Sequence, residues 1–356
     1  MDWCHSTLHR KSILPSKQER SIQQKDIQMT KMTKLFAAAT TMAFVGTASM
    51  AETKWDLTTA WGANNFHAQS AVAFADAVRS ETNGSVDITV HMSGETGVKI
   101  TEKLTAVEVG IVQMADMLLF LQAGEEPFLG VDTLPYLIQG QDEMKVWLEV
   151  AGPTYDEIFE RHNQKVLYFV PWPSPGVYTK DPVVSANDME GLRIRSFNAT
   201  SFTFLEKMGA APVELPFEEL ATAVAAGTVD GAATSTSTGA EAKLYQFTDN
   251  FNPLNWSMSP DAVTVNLDAW NALTDEERDT IQRLADEMEA DFWAASAAED
   301  EAKTAILVEN GMTISFADDS LKAKMAEAGK SMWDDFFESV PEAQAVVEAY
   351  AERTGK

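Results

Sequence analysis

The sequence predicts an α/β fold with two domains, and three patterns support this prediction. Residues 52–356, which follow a predicted leader, number 305, the usual length of two domains. Apolar runs alternate with helical patterns in the order βαβαβ twice, within residues 54–121 and again within residues 185–238. A capping box at Thr274 then opens a helical pattern of roughly 35 residues, or about 50 Å. We therefore expect two α/β domains and one helix long enough to lie across both.

The first 51 residues are predicted to be a leader followed by a secretory signal peptide. Residues 1–29 are polar and show no periodicity, and Lys31 and Lys34 then precede an apolar run of 11 residues. Ser49 and Ala51 supply small residues at the −3 and −1 positions of a cleavage site. The apolar run is too short for a permanent membrane anchor. We therefore predict an exported chain that is cleaved after Ala51.

The charge balance of the predicted mature chain is strongly acidic. Residues 52–356 contain 20 Lys and Arg and 51 Asp and Glu, a net charge of −31. Such a surface is soluble and repels nucleic acid and anionic lipid. The only cysteine, Cys4, lies in the leader, so the exported chain has no disulfide and no thiol chemistry. The composition indicates a soluble globular protein that does not bind nucleic acid.

The first half of the mature chain is typical of a parallel, doubly wound sheet. Asn64 or Asn65 caps the first helix, and Asn83–Gly84 marks the turn into the second strand. The predicted strands cover residues 54–60, 86–91, 112–121 and 166–170, and the predicted helices cover residues 66–79, 101–109 and 143–161. Trp172–Gly176 breaks the chain at the crossover to the second domain, and Ala262–Asn266 is predicted to be a strand that returns to the first. We assign residues 52–177 and 262–311 to domain 1, residues 178–261 to domain 2, and residues 312–356 to a C-terminal helical region.

An arginine and two hydroxyl residues follow two predicted strands of the second domain. Gly191–Arg195 alternates apolar and basic residues with a period of two, and a second apolar run ends at Thr234 and Ser235. Ligands of open α/β sheets bind outside the carboxyl ends of the strands. A guanidinium beside two hydroxyls at the start of a helix suits an anion. Arg195, Thr234 and Ser235 are therefore candidate ligand contacts.

The helices of this second domain are predicted from their end signals. Asn198 is placed as the N-cap of a helix over residues 199–208, and Pro216 opens another helix over residues 217–226. Glycine follows each of these two helical patterns, as expected at a helix C-terminus.

The sequence contains no pattern typical of a catalytic or metal centre. The three histidines of the mature chain, His67, His91 and His162, are widely spaced, with no HExxH pattern and no cysteine partner. A nucleophile elbow, a P-loop and a dinucleotide-binding glycine pattern are all missing. We therefore expect neither a metal nor a cofactor, and a protein that is not an enzyme.

Aromatic residues cluster near the predicted breaks between elements. Two domains joined by two or three crossings suggest a hinge, and the cleft at a hinge is the default ligand site. Aromatic side chains at its edge would supply apolar walls for a ligand. The candidates are Phe66, Trp172, Tyr178, Phe217 and Trp256.

An ordered set of short motifs resembles a known family. The chain resembles the extracytoplasmic solute-binding proteins of tripartite ATP-independent periplasmic (TRAP) transporters over nearly all of residues 54–311. The motifs that carry the resemblance are Asn64–His67, Asp188–Arg195 followed by Asn198, Met208–Ala210, Pro216–Glu219, Gly227–Gly231 and Val263–Asn266. The resemblance implies a two-domain periplasmic binding protein fold of type II-like architecture, with hinged lobes and a long helix spanning both. It also implies a periplasmic location and membrane permease subunits as partners.

The resemblance assigns roles to particular residues. Arg195 matches the arginine that clamps the substrate carboxylate, and Phe217 matches an aromatic residue that lies against the ligand. Thr234 departs from the asparagine of many members, and residues 176–180 lack the second arginine that many members have. One arginine implies a small organic monocarboxylate, including aromatic, hydroxy and keto acids. The full set of predicted ligand contacts is Arg195, Phe217, Thr234, Ser235, Trp172, Tyr178, Phe66, Asn65 and Trp256.

Three alternatives remain open from the sequence. The same scaffold could bind a small amine or zwitterion through a cation–π face of Trp172 or Trp256. An exported hydrolase or lyase with an unfamiliar site is a second alternative, and the ligand-sensing half of a signalling system is a third. We expect a monomer, with a dimer paired through the C-terminal helix as the alternative.

Overall fold

Two β-sheets, one in each lobe, organise residues 52–356, which are the residues that the computed structural model describes. The predicted leader and signal peptide, residues 1–51, lie outside the described residues. The strands are β1 (Thr53–Thr58), β2 (Val86–His91), β3 (Met114–Leu118), β4 (Gln164–Pro171), β5 (Gly176–Thr179), β6 (Ile194–Ser196), β7 (Val213–Glu214), β8 (Gly231–Thr234), β9 (Asn250–Asn252), β10 (Pro260–Asn266) and β11 (Thr313–Ile314). The α-helices are α1 (Phe66–Glu81), α2 (Lys103–Glu108), α3 (Gln141–Arg161), α4 (Ala199–Lys207), α5 (Phe217–Ala225), α6 (Thr236–Glu241), α7 (Leu267–Asn271), α8 (Asp275–Glu309), α9 (Asp319–Ser339) and α10 (Pro341–Thr354).

The sheet of the first lobe has the strand order β2-β1-β3-β10-β4 and is mixed. The strand β1 pairs in parallel with β2 and β3, as the βαβαβ pattern predicts. By contrast, β10, the predicted returning strand, is antiparallel to both β3 and β4. The reason is that β10 returns from the second lobe in the opposite direction and is inserted between two strands, where both of its edges are hydrogen-bonded.

The sheet of the second lobe has the strand order β11-β9-β5-β8-β6-β7. The strands β6, β7 and β8 are parallel to one another, and β5 is antiparallel to β8 and β9. The strand β5 already begins at Gly176, where a Cβ would lie 2.3 Å from the carbonyl oxygen of Asn252, so the backbones here approach as closely as only glycine allows. Residues 312–356, predicted as a separate helical region, contribute β11 to the edge of this sheet. The domain boundaries themselves stay a prediction.

The 35-residue helix α8 spans both lobes, as predicted. A capping box opens it: the Thr274 side chain accepts from the Glu277 amide, and the Glu277 carboxylate accepts from the Thr274 amide at 2.9 Å. The helix packs against α1 and β4 in the first lobe and against α6 in the second. Among residues 52–356, no helix is both long and apolar enough to cross a lipid bilayer.

The first C-terminal helix, α9, contacts both lobes, and the second, α10, packs on the first lobe. Leu321 and Met325 of α9 are buried in the core of the second lobe. Val347 and Tyr350 of α10 are buried in the core of the first lobe, where the Trp147 ring of α3 meets the Tyr350 ring edge-on at 5.4 Å. The C-terminal segment therefore crosses from the second lobe back to the first.

Candidate functional site

A cavity of about 580 Å³ lies between the two lobes. This volume is in the range of small-molecule sites. Its aromatic walls come from both lobes and comprise Trp61, Phe120 and Trp172 from the first lobe, and Phe197 and Phe217 from the second. Hydroxyl groups of Thr234, Ser235, Ser257 and Ser259 also line it. The cavity therefore combines aromatic and aliphatic walls with hydroxyl and other polar groups.

Within residues 52–356, Arg195 is the only basic residue that lines the cavity. It lies on β6, between β7 and β8, and is only 4% exposed. Its Nε donates to the carbonyl oxygen of Leu215 at 2.9 Å, and its Nη1 donates to that of Ala233 at 3.3 Å. Neighbouring backbone thus fixes one side of the guanidinium, and within residues 52–356 no acceptor binds Nη2. The Nη2 end of the guanidinium is therefore available to bind an anion in the cavity.

The Arg195 guanidinium stays charged in spite of its burial. Loss of solvent lowers its pKa to about 10, and the negative charges of Glu214 and Glu218 partly offset this effect. Since this pKa remains about three units above neutral pH, the side chain is a cation under physiological conditions. A buried cation without a full counter-ion favours an anionic ligand, because the ligand would supply the missing charge.

Trp172 links the two lobes at the cavity wall. Its ring stacks on His67 of the first lobe, with centroids 4.6 Å apart and planes within 5°. Its Nε1 donates to the Ser235 Oγ of the second lobe at 2.8 Å. Ser235 is the N-cap of α6, so its hydroxyl is itself held by that helix. The indole is therefore fixed from both sides of the cleft.

The lobes also touch through aromatic pairs on two sides of the cavity. Trp61 lies 4.6 Å from Trp172 and 6.4 Å from the Phe217 ring of the second lobe. Phe120 of the first lobe lies 5.5 Å from Phe197 of the second. These distances are typical of favourable aromatic pairs. The cavity is thus enclosed between two aromatic contacts that join the lobes.

Comparison with known proteins identifies the family. Residues 57–340 match the family model DctP, bacterial extracellular solute-binding protein, family 7. The chain belongs to this family.

Solved structures of TRAP-type receptors share the fold of this solute-binding protein. DctP6, a Bordetella pertussis extracytoplasmic solute receptor binding pyroglutamic acid, is 30% identical, with a TM-score of 0.80 over 84% of this chain and 100% of that chain. A marine metagenome TRAP solute-binding protein specific for pyroglutamate is 31% identical, with a TM-score of 0.79 over 85% of this chain and 99% of that chain. A solute-binding protein of Albidiferax ferrireducens is 23% identical over 270 residues, 74% of this chain and 79% of its own length. The chain is therefore a TRAP solute-binding receptor.

Five of the nine predicted contact residues line the cavity of this receptor, and four do not. The five that line it are Arg195, Phe217, Thr234, Ser235 and Trp172. The four that lie elsewhere are Tyr178, Phe66, Asn65 and Trp256, all of them buried.

Each of these four side chains has a structural reason for its position. Tyr178 packs under α6, and its hydroxyl donates to the carbonyl oxygen of Ser235 at 3.1 Å. Asn65 is the N-cap of α1 and accepts from the amide of residue 67 at 2.9 Å. Phe66 lies in the core behind Trp172, 5.4 Å from its ring. Trp256 stacks behind the ring of residue 197 at 6.3 Å and therefore supports the cavity wall without forming it.

Sequence reasoning missed three of the aromatic walls. Trp61 lies in the break between β1 and α1, close to Asn65 and Phe66, which were predicted contacts. Phe197 follows the end of β6, two residues after the candidate Arg195. Phe120 was placed in a strand predicted to run to residue 121. That strand ends at Leu118, and a 3₁₀ turn over Leu119–Gln122 follows it at the cavity.

A buried polar cluster lies behind the tryptophan wall, a feature that the sequence spacing does not reveal. His67, Asp116 and Asp261 bring one imidazole nitrogen and two carboxylate oxygens within 4.8 Å of one another, the one such group within residues 52–356. The Lys103 ammonium, 1% exposed, donates to the carbonyl oxygen of Asp116. Because this ammonium already supplies the positive charge, a metal ion would add a second cation beside it. These residues therefore do not fit a metal centre.

Burial determines the protonation of this cluster. It lowers the pKa of His67 to about 4, an effect that Asp116 opposes in part. Burial also lowers the pKa of Lys103, and burial together with the charge of Asp116 raises the pKa of Asp261 well above its usual range. At neutral pH the imidazole is therefore neutral, and burial favours the protonated form of Asp261.

Proposed function

We propose that this receptor binds a small organic monocarboxylate between its lobes and delivers it to the membrane permease of a TRAP transporter. The observation that carries the proposal is the buried Arg195 guanidinium, whose Nη2 is free to bind a carboxylate. Among the described residues it is the one basic group at the cavity, and it therefore matches a ligand with one carboxylate better than a ligand with two. The predicted signal peptide, cleaved after Ala51, would place the receptor in the periplasm.

The remainder of the ligand is proposed to be a compact, largely neutral ring or chain. The aromatic walls offer apolar surface, and the hydroxyls of Thr234, Ser257 and Ser259 offer a few hydrogen bonds. The two structural relatives at 30% and 31% identity bind pyroglutamate, which combines one carboxylate with one neutral lactam ring. Pyroglutamate is therefore our first candidate among the monocarboxylates.

The mechanism we propose is closure of the lobes around the ligand without chemical change. The ligand carboxylate would pair with Arg195 of the second lobe while Trp61 and Trp172 of the first lobe cover its other end. Binding then stabilises the closed arrangement by joining groups from both lobes, as in other hinged receptors.

The amine alternative is less well supported by the geometry. The Trp172 ring is stacked on His67 and also contacts Trp61, so its faces are largely occupied. Trp256 does not line the cavity. The two tryptophans named for a cation–π site therefore offer no open ring face on which a ligand ammonium could stack.

The proposal is tested by identifying the ligand and measuring analogues that differ in one group. Mass spectrometry of the compound released from denatured receptor is expected to show a monocarboxylate, recovered unaltered. In calorimetry, pyroglutamate is expected to bind at least ~100-fold more tightly than 2-pyrrolidinone, which has the same ring without the carboxylate. Succinate, with a second carboxylate and no ring, is expected to bind more weakly than pyroglutamate. A released compound without a carboxylate, or equal affinity for 2-pyrrolidinone, contradicts the proposal.

A further inference from the structure

The buried cluster formed by Lys103, Asp116, Asp261 and His67 touches the cavity wall without lining the cavity. We propose that this cluster positions Trp61 and Trp172 for the ligand, and that it holds one proton on Asp261 and one negative charge on Asp116. This inference adds a positioning role to the proposed function. It rests on that function in one respect only, which is that Trp61 and Trp172 contact the ligand.

Two contacts connect the cluster to the tryptophan wall. The Trp61 Nε1 donates to the Asp261 Oδ2 at 3.1 Å. The His67 ring lies parallel to the Trp172 ring, 4.6 Å away. Since the two indoles also contact each other, a shift of either cluster member moves the wall of the cavity. The cluster lies directly behind the two tryptophans and can therefore set the width of the ligand cavity.

The two carboxyl groups of the cluster have unequal hydrogen-bond donors. The Asp116 Oδ2 accepts from the Thr59 hydroxyl at 2.7 Å, and the Lys103 ammonium is bound to the main-chain carbonyl of the same residue. Among the donors of residues 52–356, only the Trp61 indole binds Asp261. The negative charge is better stabilised where the hydroxyl and the ammonium lie, which is on Asp116.

The remaining carboxyl oxygens indicate a shared proton. The Oδ1 atoms of Asp116 and Asp261 are both buried and have no hydrogen-bond partner within residues 52–356, and a carboxylate oxygen of each residue lies within 4.8 Å of one on the other. Two ionised carboxylates cannot face each other in a dry core, so one of them must keep its proton. With the proton on Asp261, one ammonium balances one carboxylate and the cluster is neutral overall.

Other titratable groups near the cluster do not change the balance of one ammonium charge against one carboxylate charge. The Tyr168 hydroxyl of β4 is buried near Asp116, and its pKa is raised above its usual range by burial and by the charges of Asp116 and Glu289. It therefore stays neutral at physiological pH. The His67 Nε2 finds no partner within residues 52–356, as expected for an uncharged ring held by stacking.

Two isosteric variants test the position of the proton. Asp261→Asn keeps the shape of the protonated acid: its amide oxygen can accept from Trp61, and its amide nitrogen can donate to Asp116. We expect its Tm to lie within about 2 °C of the parent and its tryptophan emission maximum to be retained. Asp116→Asn leaves the Lys103 ammonium buried without its counter-charge, and its Tm is expected to fall by about 10 °C. Equal losses for both variants, or a larger loss for Asp261→Asn, would overturn the assignment.

A double variant keeps the test decisive if Asp116→Asn does not fold. Lys103→Met combined with Asp116→Asn removes both charges together and is expected to recover at least half of the Tm lost by Asp116→Asn. If the double variant does not recover the lost Tm, the proposed balance between the Lys103 and Asp116 charges is wrong. Added Zn²⁺ or EDTA is expected to leave the parent's Tm unchanged, whereas a rise of several degrees with Zn²⁺ that Asp261→Asn abolishes would show a metal site and overturn the proposal.

The positioning role requires a readout that folding alone does not change. With pyroglutamate as the probe and at a temperature where the variants are folded, Asp261→Leu is expected to weaken binding about 10-fold and to shift tryptophan emission, whereas Asp261→Asn retains both. Retained affinity in Asp261→Leu would overturn the positioning role. If the parent itself does not bind pyroglutamate, the ligand assignment fails, while the Tm and emission results still decide the cluster's charges.

Discussion

Arg195→Ala is expected to reduce ligand affinity at least ~100-fold, below the range of ordinary calorimetry. The guanidinium is 4% exposed, and in the part of the chain that the structure describes it is the one cationic group at the cavity. Its loss would leave the ligand carboxylate desolvated without a partner, which costs about 3 kcal/mol or more. The measurement is isothermal titration of the parent and the variant with the compound released from the receptor, or with pyroglutamate.

The neighbouring Arg193 provides a matched control. Its side chain is 48% exposed and pairs with Asp230 at the surface, away from the cavity. Arg193→Ala is therefore expected to change affinity by less than about twofold. Arg195→Lys is expected to weaken binding severely, because an ammonium cannot donate to the two backbone carbonyls and also form two parallel hydrogen bonds to a carboxylate. Unchanged affinity in Arg195→Ala refutes the assigned role.

The second large effect is a loss of stability in mild acid caused by His67. Its pKa is about 4 in the folded protein against 6.5 in the unfolded chain, because burial disfavours the charged ring. Above pH 6.5 neither state binds this proton, and the stability is complete. As the pH falls from 6.5 to about 4, only the unfolded state is protonated, so the free energy of unfolding falls by about 3 kcal/mol.

The measurement is denaturant unfolding at pH 7.0, 5.5 and 4.5, with His67→Phe as the comparison. Phenylalanine retains the ring that stacks on Trp172 and removes the titrating group. The stabilities of parent and variant are expected to converge, or to cross in favour of the variant, as the pH falls. Taking the difference between the two proteins removes the opposite contribution of Asp261, whose raised pKa adds stability in acid. Parallel pH profiles for the two proteins would show that His67 does not titrate as described.

Much of the fold could be predicted because its signals are local. The caps at Asn65, Asn198 and Thr274 are side chains that bond to amides two or three residues ahead, so a short stretch of sequence contains the whole signal. The predicted strand at Val86–His91 and the length of α8 follow in the same way from apolar periodicity and the spacing of breakers.

Part of the site could not be predicted because its signals are not local. All four residues of β5 are buried, so its alternation does not show which face meets the cavity, and the sequence could not place Tyr178 relative to it. The insertion of β10 between β3 and β4 depends on a strand that returns from the second lobe. The hydrogen bond from Trp61 to Asp261 joins residues 200 positions apart, a separation at which spacing carries no information.

A crystal structure of the receptor with its released ligand tests the central claim most directly. We predict a carboxylate with both oxygens within about 3 Å of Nη1 and Nη2 of Arg195, and the rest of the molecule against Trp61 and Trp172. A ligand seated in the cleft with no anionic group near Arg195, or bound outside the cavity, would contradict the account.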